Sequence, residues 1–94
     1  MASGKNTAVI SVIGKDKVGI IARVSALLAQ NNININDISQ TILDYIFTMI
    51  MMVDLRDLKI EESDIKDKLN ALGEELGVTI TIQHTDLFDK MHRI

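Results

Sequence analysis

The chain has 94 residues, 47% of them apolar, and a formal net charge of −3, which fits one packed domain and excludes a disordered segment. The acidic balance argues against a nucleic-acid coat or a membrane-surface binder, because both need basic patches. The lack of cysteine removes disulfides, thiolate metal sites and thiol nucleophiles, and no apolar run approaches the roughly 20 residues of a membrane span.

Residues 1–6, "MASGKN", read as a polar tail, too short and polar for a signal peptide. That leaves 7–94 as a single domain, with the cytoplasm as its expected compartment. There is no proline, so Gly, Asn and Asp must shape the loops. "TAVISVIG" (7–14) is short, rich in β-branched residues and stopped by Gly14, a first strand. "VGIIARVSALLAQ" (18–30) sets Ile20, Val24, Leu27 and then Asn31 on one side, with Ile21 and Leu28 beside them. This is the period of a helix with one buried face. Asparagines 31 and 32 suit its exit, since Asn tolerates the left-handed conformation. A second strand is expected over 33–43, a turn at Asp44–Tyr45, and a third strand over 46–55.

The second helix opens near Ile60 or Ser63 and carries a stripe of Ile65, Leu69, Leu72 and Leu76. Gly73 inside it costs about 1 kcal/mol against alanine, and Gly77 stops it. "VTITIQ" (78–83) alternates strictly and reads as the fourth strand, and "DLFDKMHRI" spaces Leu87, Met91 and Ile94 as a short terminal helix.

The order βαββαβ predicts an α+β, ferredoxin-like sandwich with both helices on one face of a four-stranded antiparallel sheet. Strands one and three are apolar on both alternating sets and belong in the middle; two and four are half polar and belong at the edges. The expected strand order is 4-1-3-2. The helix-free face then carries Val9, Ile13, Ile46, Ile50 and Met52, or the opposite set. Such a patch is rarely left wet, so a partner subunit or the terminal helix must cover it.

The stretch "VIGKDKVGII" (12–21) supplies the candidate site. A strand-to-helix loop aims the free N–H groups of the first helical turn at whatever lies above them. The helix dipole adds roughly half a positive charge there, so a carboxylate is welcome. Gly14 and Gly19 let the backbone approach a ligand, Lys15 or Lys17 adds charge, and Asp16 can meet an ammonium group. The plainer reading makes Asp16 an N-cap, Gly14 a turn residue and the lysines solvated.

The same residues resemble an ACT domain, the amino-acid-sensing regulatory module. Gly14, Asp16, Gly19, Ile20 and Ile21 match its strand–loop–helix pattern, "NININD" matches its exit, and the element order matches over 8–83. Val18 stands where the family often has proline. The chain is most similar to the small stand-alone ACT proteins and to the sensor halves of glycine-cleavage repressors. The resemblance implies an amino acid or related metabolite held between the loop (Gly14, Lys15, Asp16, Lys17, Val18, Gly19, Ile20) and strand two of a neighbouring subunit (Asn34, Ile35, Asn36, Asp37). It implies a regulatory homodimer that acts on its own state or on a protein partner, and also that some members bind nothing and serve as interaction modules.

Competing chemistries lack their residues. Acylphosphatase-like hydrolysis needs an arginine in the first loop, and Arg23 lies a turn into the helix. His84 and His92 fit no metal motif and read as surface histidines, so neither catalysis, a metal nor a cofactor is expected. RNA-binding domains of this topology stack bases on aromatics of the central strands, which here offer only Phe47. Met49, Met51 and Met52 read as core filler. The acidic run from Glu61 to Glu75 reads as a solvated face.

Overall fold

The computed structural model describes residues 6–15 and 19–85. Its elements are β1 (Thr7–Gly14), α1 (Ile20–Gln30), β2 (Asn34–Leu43), β3 (Ile46–Asp54), α2 (Glu62–Leu76) and β4 (Thr79–His84). The sheet order is β2-β3-β1-β4 with every neighbouring pair antiparallel, the ferredoxin-like arrangement expected from the pattern. The segment expected to form a terminal helix, 86–94, lies outside the described residues. Among the described residues, no helix is long and apolar enough to cross a membrane.

Period-2 alternation decides which side of each central strand is dry. Ala8, Ile10 and Val12 of β1 and Phe47, Met49, Met51 and Val53 of β3 are buried. They meet Ile20, Val24 and Leu28 of α1 and Ile65, Leu69 and Leu72 of α2 in one cluster. Burying each large aliphatic side chain contributes about 1.5–3 kcal/mol. The opposite set, Val9, Ile13, Ile46, Ile50 and Met52, therefore lies on the helix-free face. Of the three β3 methionines, Met49 and Met51 fill the core, but Met52 is exposed on that outer face. The filler reading fails for Met52 because its position has the other parity.

α1 begins two residues later than its apolar pattern suggests and ends in a Schellman motif. Asn32 takes φ 59°, Ile33 N–H donates to Leu28 O at 2.9 Å, and Asn32 N–H donates to Ala29 O at 3.2 Å. These bonds satisfy carbonyls that a helix end leaves free. The buried Asn31 side chain donates from Nδ2 to Leu27 O at 2.8 Å.

Gly73 has a packing reason for its place inside α2. It is buried, and an added Cβ would stand 2.8 Å from the carbonyl oxygen of Val78. Val78 N–H in turn donates to Gly73 O at 2.9 Å, so the helix end and the start of β4 touch backbone to backbone.

β2 is the contrasting element. Only Ile35 among its ten residues is even half-buried. Ile38 and Ile42 pair with the buried Met51 and Phe47, so they share the helix side, yet both are exposed. The helix layer does not extend over this edge.

Candidate functional site

The β1–α1 junction is built around two glycines with different jobs. Gly14 ends β1, and a Cβ on it would collide with Val78, standing 2.9 Å from that residue's Cβ. Its missing side chain makes room for the α2–β4 connection under the sheet, a packing reason for glycine that needs no ligand. Gly19 is the N-cap of α1 at φ 79°, a conformation that L side chains adopt only at a cost. It therefore stands just before the helix rather than within its first turn. The N-cap position thus belongs to Gly19 and not to Asp16.

Among the described residues no side chain caps α1, and its first turn carries no acidic residue. Its leading N–H groups have no intrahelical acceptor, and the partial positive charge of the helix end is unopposed by the first turn. Gly19 is exposed, and an added Cβ there would find nothing within 4 Å. Among the described residues, the approach to this helix end is open.

Lys15 is exposed, with Nζ 5.7 Å from the centroid of the Tyr45 ring, within cation–π range. That contact ties the loop to the β2–β3 turn. Tyr45 was not among the candidate residues, since nothing in sequence spacing relates positions 15 and 45. Ile20 is 2% exposed: its side chain belongs to the core, and only its backbone N–H remains for a ligand. Asp16, Lys17 and Val18 lie outside the described residues.

Asn34, Ile35, Asn36 and Asp37 gather at the start of β2. Asn34 Nδ2 donates to Asn36 Oδ1 at 3.0 Å, and Ile38 N–H donates to Asp37 Oδ1 at 2.9 Å. The register shifts between Ile35 and Asp37, so Asn36 forms a bulge, a device that re-aims side chains at a sheet edge. Ile35 packs against the core.

These two clusters do not meet within one chain. Gly14 pairs with Phe47, which pairs with Ile42; Thr7 pairs with Asp54, which pairs with Asn34. Residues 34–37 therefore sit at the opposite end of the sheet from Gly14, five to eight residues along the strand. At about 3.3 Å per residue that is roughly 17–26 Å.

His84 is less exposed than its surface reading. It ends β4 opposite Ala8, with Nε2 3.0 Å from Glu62 Oε2, while Nδ1 is buried without a hydrogen-bond partner among the described residues. Both residues help to line a cavity of about 190 Å³ between α2 and the sheet, with Ser63 and Lys66. His92 lies outside the described residues. Phe47 is 1% exposed beneath the helices, on the wrong face for base stacking. Among the described residues no group of three or more His, Asp or Glu could hold a metal ion.

The sequence model of the ACT domain family matches residues 6–83. A UPF0237 protein of Methanocaldococcus jannaschii is 54% identical over 86 residues, covering 92% of this chain and 96% of its own. The solved structure of an ACT domain protein from Streptococcus pneumoniae superposes with a TM-score of 0.80 at 43% identity, over 89% of this chain and 94% of that one. A chain assigned as a glycine cleavage system transcriptional repressor superposes with a TM-score of 0.68 at 25% identity. That match spans 83% of this chain but only 44% of the other.

Proposed function

We propose, for a chain that belongs to the ACT domain family, a regulatory role in the cytoplasm in which a homodimer senses a free amino acid or a closely related metabolite. The domain has no chemistry of its own to perform. It reports occupancy through its assembly state or to a protein partner. The observation that carries this reading is the uncapped start of α1. An exposed left-handed Gly19 and a first turn without acids offer a carboxylate unopposed N–H donors. Asp16 and the lysines 15 and 17 supply charge for the ammonium and carboxylate ends of a zwitterion.

The separation of the two clusters within one chain supports a site completed by a second subunit. If the β2 edges of two copies pair antiparallel, the partner subunit's Asn34 and Asn36 come to the sheet end that carries Gly14. An exposed ten-residue edge strand is a natural template for such pairing. Ligand binding and assembly would then reinforce each other, because a ligand that binds only the assembled form stabilises it by RT ln(1 + [L]/Kd).

One observation favours a second reading, an interaction module without ligand. The β2–β3 turn presents Leu43 at 74% and Tyr45 at 61% exposure, an apolar tip suited to another protein. A thermal-shift screen against the proteinogenic amino acids and common metabolites separates the two. Sensing requires at least one amino acid to raise Tm in a dose-dependent way. A flat screen, with the protein folded throughout, would leave the interaction module standing.

A further inference from the structure

α2 and β4 run antiparallel, and the space between them is not uniform. At one end they touch backbone to backbone, where Val78 N–H donates to Gly73 O at 2.9 Å. At the other end side chains span the gap, with His84 Nε2 3.0 Å from Glu62 Oε2. Ala8, which pairs with His84 across the sheet, is the smallest of the buried β1 side chains. A helix held close at its far end, above a small residue on the sheet, leaves the cavity of about 190 Å³. Ala8 and Gly14 stand at opposite ends of β1, so this cavity is separate from the β1–α1 loop.

The lining divides by chemistry. Ala8, Leu55 and Ile82 supply an apolar floor, and Glu62, Ser63, Lys66 and His84 a polar rim. Two of the rim groups are matched to each other. The Glu62 carboxylate can only accept, so His84 Nε2–H donates to it, and the neutral ring keeps its lone pair on the buried Nδ1. His84 then has no N–H left for a ligand. The other two rim groups are unspent. Among the described residues Lys66 makes no ion pair, and the Ser63 hydroxyl makes no hydrogen bond. Glu62 lies one turn before Lys66, the spacing of a helical ion pair, yet its carboxylate is turned to His84.

Charge and size select the ligand. A ligand ammonium would meet Lys66 as a like charge and find only a carboxylate that His84 already holds. An unpaired cation and a hydroxyl beside an apolar floor suit an anionic head on an aliphatic tail. An engineered apolar cavity of about 150 Å³ holds benzene, with its six heavy atoms. The cavity here, at about 190 Å³, fits roughly six to eight heavy atoms on that scale. That is a carboxylate with a tail of roughly three to five carbons, well short of the usual drug-sized ligand.

We propose that the cavity between the start of α2 and the end of β4 binds a short-chain aliphatic carboxylate. Its head lies on Lys66 Nζ and Ser63 Oγ, and its tail lies against Ala8, Leu55 and Ile82. The test titrates the full chain with millimolar isovalerate and follows the backbone amides by NMR. The amides of Ser63, Lys66 and His84 should shift saturably while that of Gly19 stays in place. Lys66→Met keeps the aliphatic stem and removes the charge. It should weaken binding about ten- to a hundredfold with the fold intact, the effect of losing a hydrogen bond to a charged group. Isopentyl alcohol, with the same branched tail and no charge, should bind the wild type more weakly by a similar factor. No saturable shift at these amides, shifts confined to Gly14, Lys15 and Gly19, or an affinity unchanged by Lys66→Met would each overturn the proposal. Isovalerate lacks the ammonium group that Asp16 would meet. A failure here therefore leaves the β1–α1 site standing, and a flat amino-acid screen leaves this one.

Discussion

The two junctions that lead from a strand into a helix solve the same problem in opposite ways. α2 opens at Glu61 in an extended conformation and places Glu62 and Asp64 in its first turn. Glu61 O accepts N–H groups from Asp64 at 3.0 Å and Ile65 at 3.1 Å, as Gly19 O accepts from Arg23 at 3.0 Å in α1, so the difference lies in the first-turn acids. Just upstream, Asp54 accepts from the Arg56 backbone at 2.9 Å and from its guanidinium at 2.6 Å. This junction neutralises itself. Among the described residues neither helix has a capping side chain, but α1 opens at a left-handed glycine and carries no acid in its first turn. A helix end whose first turn carries no acid is available to an anion from outside, and the proposed sensing role rests on that asymmetry.

The sharpest attack on this contrast is Asp16→Asn. If the loop holds a zwitterion, the loss of a charged hydrogen bond should cost on the order of 1.5–3 kcal/mol of affinity. The apo protein's Tm should barely move, because Gly19 and not Asp16 occupies the N-cap. Calorimetry on a ligand found in the screen reads this directly. Unchanged affinity in Asp16→Asn, and in alanine variants of Asn34 and Asn36, would mean that the ligand sits elsewhere.

Gly14→Val should destabilise the protein by about 1–3 kcal/mol in urea denaturation, the range for overpacking. Val78→Ala in the same chain should return part of the loss, since Val78 is what the new side chain meets. No rescue would mean that Gly14 is needed for something other than room.

Gly19→Ala isolates the backbone at the same junction. With open space around the added Cβ, the cost is conformational only, about 1–2 kcal/mol for a left-handed L-residue. A β-branched Gly19→Val should cost more, and Val18→Ala less than either. Equal stability of all three in denaturant melts would remove the argument for an enforced left-handed cap.

At the self-compensated junction the effects are smaller. Asp64→Asn should cost about 0.3–1 kcal/mol in low salt and less in high salt, as a dipole contact does. An insensitivity to salt would deny its role at the helix end.

The smallest effect is a pH dependence. The side-chain hydrogen bond from Arg56, followed by its backbone bond, holds Asp54 below its ordinary 3.8. A depressed folded-state value adds stability that is fully present above the unfolded value and is lost as pH falls through the folded one. The Asp54→Asn variant should therefore differ slightly from wild type at neutral pH and converge on it below about pH 3.8. Arg56 is exposed and Asp54 only half-buried at the sheet end, so solvent screens the pair and the difference is small. A gap that widened in acid would reverse the assignment.

Strand and helix boundaries were legible to within about two residues because they depend on local period and stop signals. Ile65, Leu69 and Leu72 announce a helix through their own spacing, Gly77 marks its end, and the alternation in 78–83 needs no distant partner to be read. Parity along β1 and β3 also showed that these strands are apolar on both sets, which places them in the middle of the sheet.

What distance in sequence conceals is contact. Nothing in the chain order relates Gly14 and Gly73 to Val78, although that one residue explains both glycines. Nothing local relates Lys15 to Tyr45, or His84 to Glu62. Sequence alone named Asn34 and Asn36 beside Gly14 as parts of one site through a family pattern. Only the strand register set them at opposite ends of a single sheet. Composition and periodicity determine which faces must be buried, because each residue's burial preference is its own property. Which residues meet across those faces is decided by the register and layer packing of the folded chain, a property of pairs that no single residue carries.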